Sequence, residues 1–208
     1  MVSPTPIVFV VDDDVSVRES LELLIRTEGW QPELFASADE FLGRERAVVP
    51  NCLVLDISMP GVSGLELQKR VARERTDMPI IFITGHGDVP MTVQAMKAGA
   101  VEFLTKPFTS DELIGAIRTA LERSSVALHV AESMTNLRAA YASLSQRERE
   151  VMSLVVSGLL NKQVGAELGI SEITVKAHRG SLMKKMGAHS LPDLVNMAAK
   201  LGVLARSA

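Results

Sequence analysis

Ile7-Val8-Phe9-Val10-Val11-Asp12-Asp13-Asp14 joins a continuous apolar run to three consecutive carboxylates. A strand that is apolar at every position is typical of a parallel sheet covered on both faces. Further short runs follow at Cys52–Leu55, Ile80–Ile83 and Val101–Leu104, with a weaker one at Glu33–Phe35. Amphipathic stretches of helical period separate them. The alternation predicts an α/β domain with a doubly wound, five-stranded parallel sheet.

After Leu104 the strand pattern ends, and an all-α region is predicted. Residues 109–143 contain a single glycine, Gly115, and apolar residues at helical spacing, which predicts a last domain helix that runs into a helical linker. Beyond it we predict helices at Asn161–Leu168 and Glu172–Met186, separated by a glycine-containing turn. The predicted domains are 1–123, 124–143 (the linker) and 144–208.

Charge and composition also suggest two parts. The chain of 208 residues has a net charge of −3, but the region from Ser145 onward holds nine Lys and Arg against five Asp and Glu, a charge of about +4. A small basic domain is a hint of nucleic-acid binding. The single cysteine, Cys52, excludes a disulfide framework. Because neither a secretory leader nor an apolar stretch of bilayer length is evident, we expect a cytoplasmic protein with no membrane partner.

Polar side chains follow the predicted strands where each strand ends. Asp12 and Asp13 follow the first, Asp56 the third, Thr84 the fourth and Lys106 the fifth. In an open parallel sheet these carboxyl ends meet at one edge, where ligands bind. Each residue alone has an ordinary explanation, since acidic residues before a helix are commonly caps, which is how we interpret Asp14. Their convergence favours a site.

Clustered carboxylates repel one another unless a cation lies among them. A hard divalent ion with oxygen ligands, such as Mg²⁺, suits this donor set and keeps positions open for a phosphoryl oxygen. A lysine and a threonine hydroxyl would complete a site complementary to a phosphoryl group.

The motifs around these strand ends are similar to those of a known family. The receiver signature of two-component response regulators resembles, in order and spacing, four segments within roughly residues 6–123. They are Val11–Asp13, Leu55–Gly61, Thr84–Asp88 and Lys106–Phe108. The resemblance implies a flavodoxin-like sheet with strand order 2-1-3-4-5.

The resemblance also implies roles for single residues. Asp56 would be the phosphoryl acceptor, and Mg²⁺ would be held by Asp12, Asp13, Asp56 and the backbone carbonyl of Ser58, with Asp12 acting through water. Thr84 and Lys106 would contact the phosphoryl oxygens. Phe103 occupies the position of a switch aromatic residue, although plain core packing explains it equally well.

The C-terminal pattern fits a DNA reader. Val175, Leu182 and Met186 repeat at helical spacing and should face a core, which leaves a polar outer face on the second helix. Periodicity alone would equally allow a small helical interaction bundle. The segments 145–151, 158–162 and 170–178, however, resemble the LuxR-type helix-turn-helix.

Together with the receiver motifs, this looks like the FixJ type within the NarL/FixJ family. The expected DNA-contacting residues are Lys162, Thr174, Lys176, Ala177, Arg179, Lys184 and Lys185. Two departures from the family pattern are Gly165, where alanine is usual, and Gly180, where some relatives have a basic residue.

The resemblance implies a transcription regulator rather than a metabolic enzyme, although a receiver can catalyse its own phosphotransfer and slow dephosphorylation. A sensor histidine kinase would phosphorylate Asp56, and the protein would then form a homodimer, bind paired half-sites on double-stranded DNA and recruit RNA polymerase. One alternative is a Mg²⁺-dependent aspartyl-phosphate phosphohydrolase, but those enzymes carry a second Asp where this chain has Ser58. The other is a phosphorylation-independent DNA binder with a relic receiver, against which the intact Asp13, Asp56, Thr84 and Lys106 argue.

Overall fold

The structure is a computed structural model that describes residues 4–45, 47–75, 78–85 and 89–203. Residues 86–88 of the predicted receiver signature therefore lie outside the described residues. The chain divides into two compact units between His129 and Val130. Across the described ranges, no helix combines the length and the apolar character that a membrane span requires.

The N-terminal unit contains a five-stranded parallel sheet of order β2-β1-β3-β4-β5, which confirms the predicted topology. The strands are β1 Ile7–Val11, β2 Gln31–Phe35, β3 Asn51–Asp56, β4 Ile80–Thr84 and β5 Glu102–Thr105. The helices are α1 Val15–Thr27, α2 Ala38–Leu42, α3 Gly64–Glu74, α4 Val89–Lys97 and α5 Ser110–Ala142.

The central strands are apolar throughout because successive side chains enter two different cores. Phe9 and Phe82 belong to the core on one face, with Leu67 of α3. Val10 and Ile83 belong to the core on the other face, which α1 and α5 complete. Covering both faces in this way leaves the strand ends as the place where polar side chains can gather.

Hydroxyl side chains cap the starts of two of these helices, and the second cap is a reciprocal capping box. The hydroxyl of Ser37 accepts a hydrogen bond from the Glu40 amide (3.3 Å), at the start of α2. At the start of α5, the hydroxyl of Thr109 accepts from the Glu112 amide (3.3 Å), and the Thr109 amide donates to the Glu112 carboxylate (2.7 Å). These bonds satisfy backbone groups that have no partner within the helix.

The C-terminal unit is helical, with α6 Gln146–Val156, α7 Asn161–Leu168, α8 Glu172–Met186 and α9 Leu191–Leu201. The bounds of α7 and α8 are those that the sequence predicts. Val175, Leu182 and Met186 of α8 lie in the core of this unit, as their spacing predicted. Gly169 ends α7 with a φ of 66°, a left-handed conformation that favours glycine. Residues 124–142 of the predicted linker are helical, as the sequence predicts, because they belong to α5.

Candidate functional site

The carboxyl edge of the sheet brings three aspartates together. Asp12 and Asp13 follow β1 directly, and Asp56 ends the neighbouring strand β3. One carboxylate oxygen from each of the three lies within 4.8 Å of the others. Asp12 and Asp56 are buried, whereas Asp13 is exposed. Oxygen ligands at this spacing fit a single small divalent cation.

Lys106 joins this cluster from the end of β5. Its ammonium nitrogen lies 2.8 Å from Oδ2 of Asp12 and 3.2 Å from Oδ2 of Asp56. The Lys106 side chain is 25% exposed, so it can be reached from solvent. The sheet therefore places a cation and three carboxylates within one small volume, although Asp12 and Lys106 are 94 residues apart.

Burial and charge act in opposite directions on these groups. Burial is the largest effect on Asp12 and raises the pKa of its carboxyl, and the hydrogen bond from Lys106 only partly offsets this. For Lys106, burial opposes the charged form, but the hydrogen bond to Asp12 and the charges of Asp12 and Asp56 raise its pKa above the ordinary value. The pocket therefore holds its lysine as a cation.

The backbone fixes the orientation of the buried carboxylates. The amide of Asp14 donates to Oδ1 of Asp12 (2.8 Å), and the amide of Ser58 donates to Oδ1 of Asp56 (3.0 Å). Asp14 itself caps α1 by accepting from the amide of Ser16, as its position before a helix suggested. Each buried carboxylate thus has one oxygen on a backbone amide and the other on Lys106.

Thr84 and Phe103 lie on the two adjacent strands β4 and β5, next to the strand that carries Asp56. Thr84 ends β4 and is fully buried. Phe103 of β5 is half-buried, with its ring centroid 6.3 Å from that of Phe82. This packing is compatible with either interpretation of Phe103, a switch residue or a core residue.

The second candidate site is the outer surface of α8. Lys176, Ala177 and Lys184 are exposed, and so is Lys162 on α7. Lys176 forms an ion pair with Glu172 (3.2 Å) one turn earlier. Basic side chains thus lie on the face of α8 that points away from Val175, an arrangement suited to nucleic acid.

Two family models match the chain, and each covers one of the two candidate sites. The response regulator receiver domain matches residues 8–118, and the model of bacterial regulatory proteins of the luxR family matches residues 142–198. The chain belongs to the LuxR-type response regulators. Members of this family regulate transcription as part of two-component systems rather than acting as metabolic enzymes.

Individual relatives are similar in sequence or structure over nearly the whole length of this chain. Nodulation protein W of Bradyrhizobium diazoefficiens is 52% identical over 98% of this chain and 89% of its own length. The transcriptional regulatory protein FixJ of the same organism is 41% identical over 95% and 96%. The solved structure of the response regulator StyR matches with a TM-score of 0.86 at 47% identity, covering 95% of this chain and all of that one.

In this response regulator, three further expected DNA-contacting residues besides Lys176 make contacts within the C-terminal unit. The Arg179 guanidinium donates to the side chain of Asn161 (3.0 Å). The ammonium of Lys185 donates to the Glu148 carboxylate (2.7 Å). The hydroxyl of Thr174 shares a hydrogen bond with that of Ser171 (2.8 Å), which caps α8.

Sequence reasoning missed the role of Glu148 in this regulator. Glu148 completes a capping box at the start of α6, since the Ser145 amide donates to it (2.7 Å). The same carboxylate is only 4% exposed and also accepts from the hydroxyl of Ser181 (2.6 Å) and from Lys185. These hydrogen bonds lower the pKa of Glu148 to about 2, with the bond from Lys185 as the largest cause. Ser181 and Lys185 both lie on α8, 33 and 37 residues from Glu148, so no local pattern could reveal these two bonds.

Proposed function

We propose that this response regulator accepts a phosphoryl group on Asp56 and thereby changes its affinity for DNA. The observation that carries the proposal is the cluster of Asp12, Asp13 and Asp56 within 4.8 Å, with Lys106 between two of them. Asp56 is the acceptor because it stands at the acceptor position of the receiver motif, at the end of the central strand β3, with its Oδ2 3.2 Å from the Lys106 ammonium.

The donor set fits Mg²⁺, which prefers oxygen ligands. Asp12, Asp13 and Asp56 would hold the ion, with the backbone carbonyl of Ser58 as a further ligand and Asp12 acting through water. When bound, the ion would neutralise charge on the incoming phosphoryl oxygens.

The chain's own residues then do the following. A carboxylate oxygen of Asp56 forms a bond to phosphorus as the bond between phosphorus and the histidine nitrogen of a sensor kinase breaks. Lys106 turns from the carboxylates to the phosphoryl oxygens, which it and the hydroxyl of Thr84 contact. Phe103, which lies on the edge strand β5 two residues before Thr105, the register partner of Thr84, would repack in response.

The output is regulation of transcription. We propose that phosphorylation promotes a homodimer that binds paired half-sites on double-stranded DNA and recruits RNA polymerase. Residues 1–123 would act as the receiver, 124–143 as the linker and 144–208 as the DNA-binding domain, in the cytoplasm, where the DNA is. The motifs also suggested the styrene-catabolism response regulator as a specific counterpart, but no residue points to an inducer, so we assign no signal.

The DNA contacts can be divided by the surroundings of each side chain. Lys176 and Ala177, one turn into α8, are placed to reach base edges, and Lys162 and Lys184 to reach phosphates. For Arg179 and Lys185 we infer a positioning role, because each bonds a side chain of a neighbouring helix, and for Thr174 because its hydroxyl bonds the cap of α8. The Lys176–Glu172 pair lies within α8 and both of its side chains are exposed, so Lys176 can exchange this partner for DNA.

The acceptor can be tested with acetyl phosphate and Mg²⁺. We expect mass spectrometry to find one adduct, on Asp56, and no adduct on Asp56→Asn or in excess chelator. Asp14→Asn is the matched control: Asp14 adjoins the cluster but caps α1, a task that asparagine also performs, so labelling should persist. An adduct elsewhere, or equal labelling of Asp56→Asn, would refute the assignment.

A further inference from the structure

Ile173 is the most exposed large apolar side chain of α8. It lies in the first turn of that helix and is 80% exposed. Single exposed apolar residues are common on protein surfaces and need no explanation by themselves. The surroundings of Ile173 on the helix are what give its exposure a meaning.

Helical spacing places Ile173 at the middle of the outward face. Ala177 and Gly180 follow it at i+4 and i+7, so the three residues form one line along α8, and Lys184 lies beyond its end at i+11. Val175, Leu182 and Met186, which are buried, lie on the opposite side. Ile173 is therefore not at the margin of the core, and no folding requirement explains an isoleucine here.

Cationic side chains flank this apolar line. Lys176 and Lys184 are exposed on the same helix, and Lys162 is exposed on α7. An apolar line with cations at its sides matches the major groove, where phosphates form the rims and base edges form the floor. Thymine is the base that presents an apolar group there, its C5 methyl.

We propose that Ile173, together with Ala177, recognises thymine methyl groups in the major groove, so that Ile173 determines a preference for thymine within each half-site. The inference rests on the proposed binding of DNA by α8. Residues near the start of a recognition helix reach base edges, and Ile173 lies one turn before Lys176 and Ala177.

The test needs a probe that differs only in the methyl group. The full chain, treated with acetyl phosphate and Mg²⁺, selects duplexes from a random-sequence pool. In the preferred duplex each thymine is then replaced in turn by deoxyuridine, which lacks the C5 methyl. Binding constants are measured for the wild type, for Ile173→Ala and for Val195→Ala, a control that shortens a 39% exposed valine on α9.

We expect deoxyuridine at one or two positions per half-site to weaken wild-type binding by about fourfold for each buried methyl group. Ile173→Ala should bind thymine and deoxyuridine equally at one of these positions, whereas Val195→Ala should keep the full difference. Because Ile173 is exposed, its variant should keep the wild-type circular dichroism and melting temperature.

Three results would overturn the inference while leaving DNA binding intact. They are a preferred half-site without thymine, a wild type indifferent to deoxyuridine, and an Ile173→Ala variant that retains the full difference at every thymine. If Ile173→Ala instead weakened binding equally for all duplexes, Ile173 would serve contact between protein copies. Selection of no sequence at all by the wild type would count against the proposed function itself.

Discussion

At Gly165 the backbone of α7 approaches the following turn so closely that it leaves no room for a side chain. A Cβ added there would lie 2.7 Å from the carbonyl oxygen of Ile170, whereas a Cβ on Gly180 of α8 would meet nothing within 4 Å. The two glycines that depart from the family pattern therefore have opposite surroundings.

Alanine should have opposite effects at these two positions. We expect Gly165→Ala to destabilise the C-terminal unit by about 1–3 kcal/mol, because the turn must shift to relieve the contact. Gly180→Ala should stabilise α8 by up to about 1 kcal/mol, because alanine favours the helix and the space is open. Urea-dependent hydrogen exchange in peptides from α7 and α8 of the full chain measures both. Equal stabilisation by the two alanines would show that the close approach at Gly165 imposes no constraint.

Lys184 and Lys185 are adjacent lysines with different surroundings, and DNA binding should separate them. Lys185 is held by Glu148, while Lys184 is exposed on the outward face. We expect Lys184→Ala to reduce the slope of log K against log salt by about 0.9, as for one lost phosphate contact. Lys185→Ala should leave this slope unchanged and lower the stability of the unit.

The measurement is binding of both variants to one duplex at several salt concentrations, with thermal unfolding in parallel. If Lys185→Ala reduced the salt slope as much as Lys184→Ala, Lys185 would be a phosphate contact and its bond to Glu148 would be secondary.

At the scale of the elements, Glu148 ties α6 to α8. Its carboxylate accepts from Ser181 and Lys185, which lie one turn apart on α8, and so fixes the rotation of that helix about its axis. Because α8 is the proposed DNA reader, this pair of bonds determines which of its faces points outward.

The stability that Glu148 contributes should depend on pH. Its pKa is lowered from 4.5 to about 2 in the folded state, so its contribution is complete above pH 4.5 and disappears as the pH falls to about 2. We expect Glu148→Gln to lower the unfolding free energy of the unit on the order of 1–3 kcal/mol at neutral pH, from the loss of a charged hydrogen-bond acceptor.

The comparison is hydrogen exchange of α6 and α8 peptides in the wild type and in Glu148→Gln, each pair at the same pH. The difference in protection between the two should shrink as the pH approaches 2, where the wild-type carboxyl becomes protonated. A difference that stays constant down to that pH would mean that the charge of Glu148 is not what stabilises α8.

The strands, helices α7 and α8 and the receiver cluster could be predicted from the sequence, for a physical reason. Strands buried on both faces must be apolar throughout, and parallel connections bring their carboxyl ends to one edge, so Asp12, Asp56 and Lys106 could be predicted to meet. The spacing of Ser145 and Glu148 is a local signal of the same kind, since it is typical of a capping box at a helix start.

Contacts between elements of the C-terminal unit were not readable in this way. Glu148 and Ser181 are 33 residues apart, and nothing in their spacing shows that they bond. Gly165 could be flagged as a departure, but the 2.7 Å approach to Ile170 depends on how α7 packs on the turn. Helix packing sets these distances, and no periodicity encodes it.

For the whole molecule, the proposed function requires that a charge added to the N-terminal unit changes the affinity of the C-terminal unit for DNA. The helix α5 contributes residues to each of the two units. Leu113 and Ile117 lie in a core of the N-terminal unit, and Tyr141 is partly buried against the core of the C-terminal unit. Converting a mostly inactive population to a mostly active one takes about 5.5 kcal/mol of differential stabilisation. Phosphorylation, with its negative charge and strong acceptors, is the proposed source.

The most direct measurement is the affinity of the full chain for its selected duplex, with and without acetyl phosphate and Mg²⁺, in the wild type and in Asp56→Asn. We expect the phosphodonor to tighten binding by the wild type and to have no effect on Asp56→Asn. The proposed function would be contradicted if the phosphodonor did not change the affinity of the wild type, or if it changed the affinity of Asp56→Asn as much as that of the wild type.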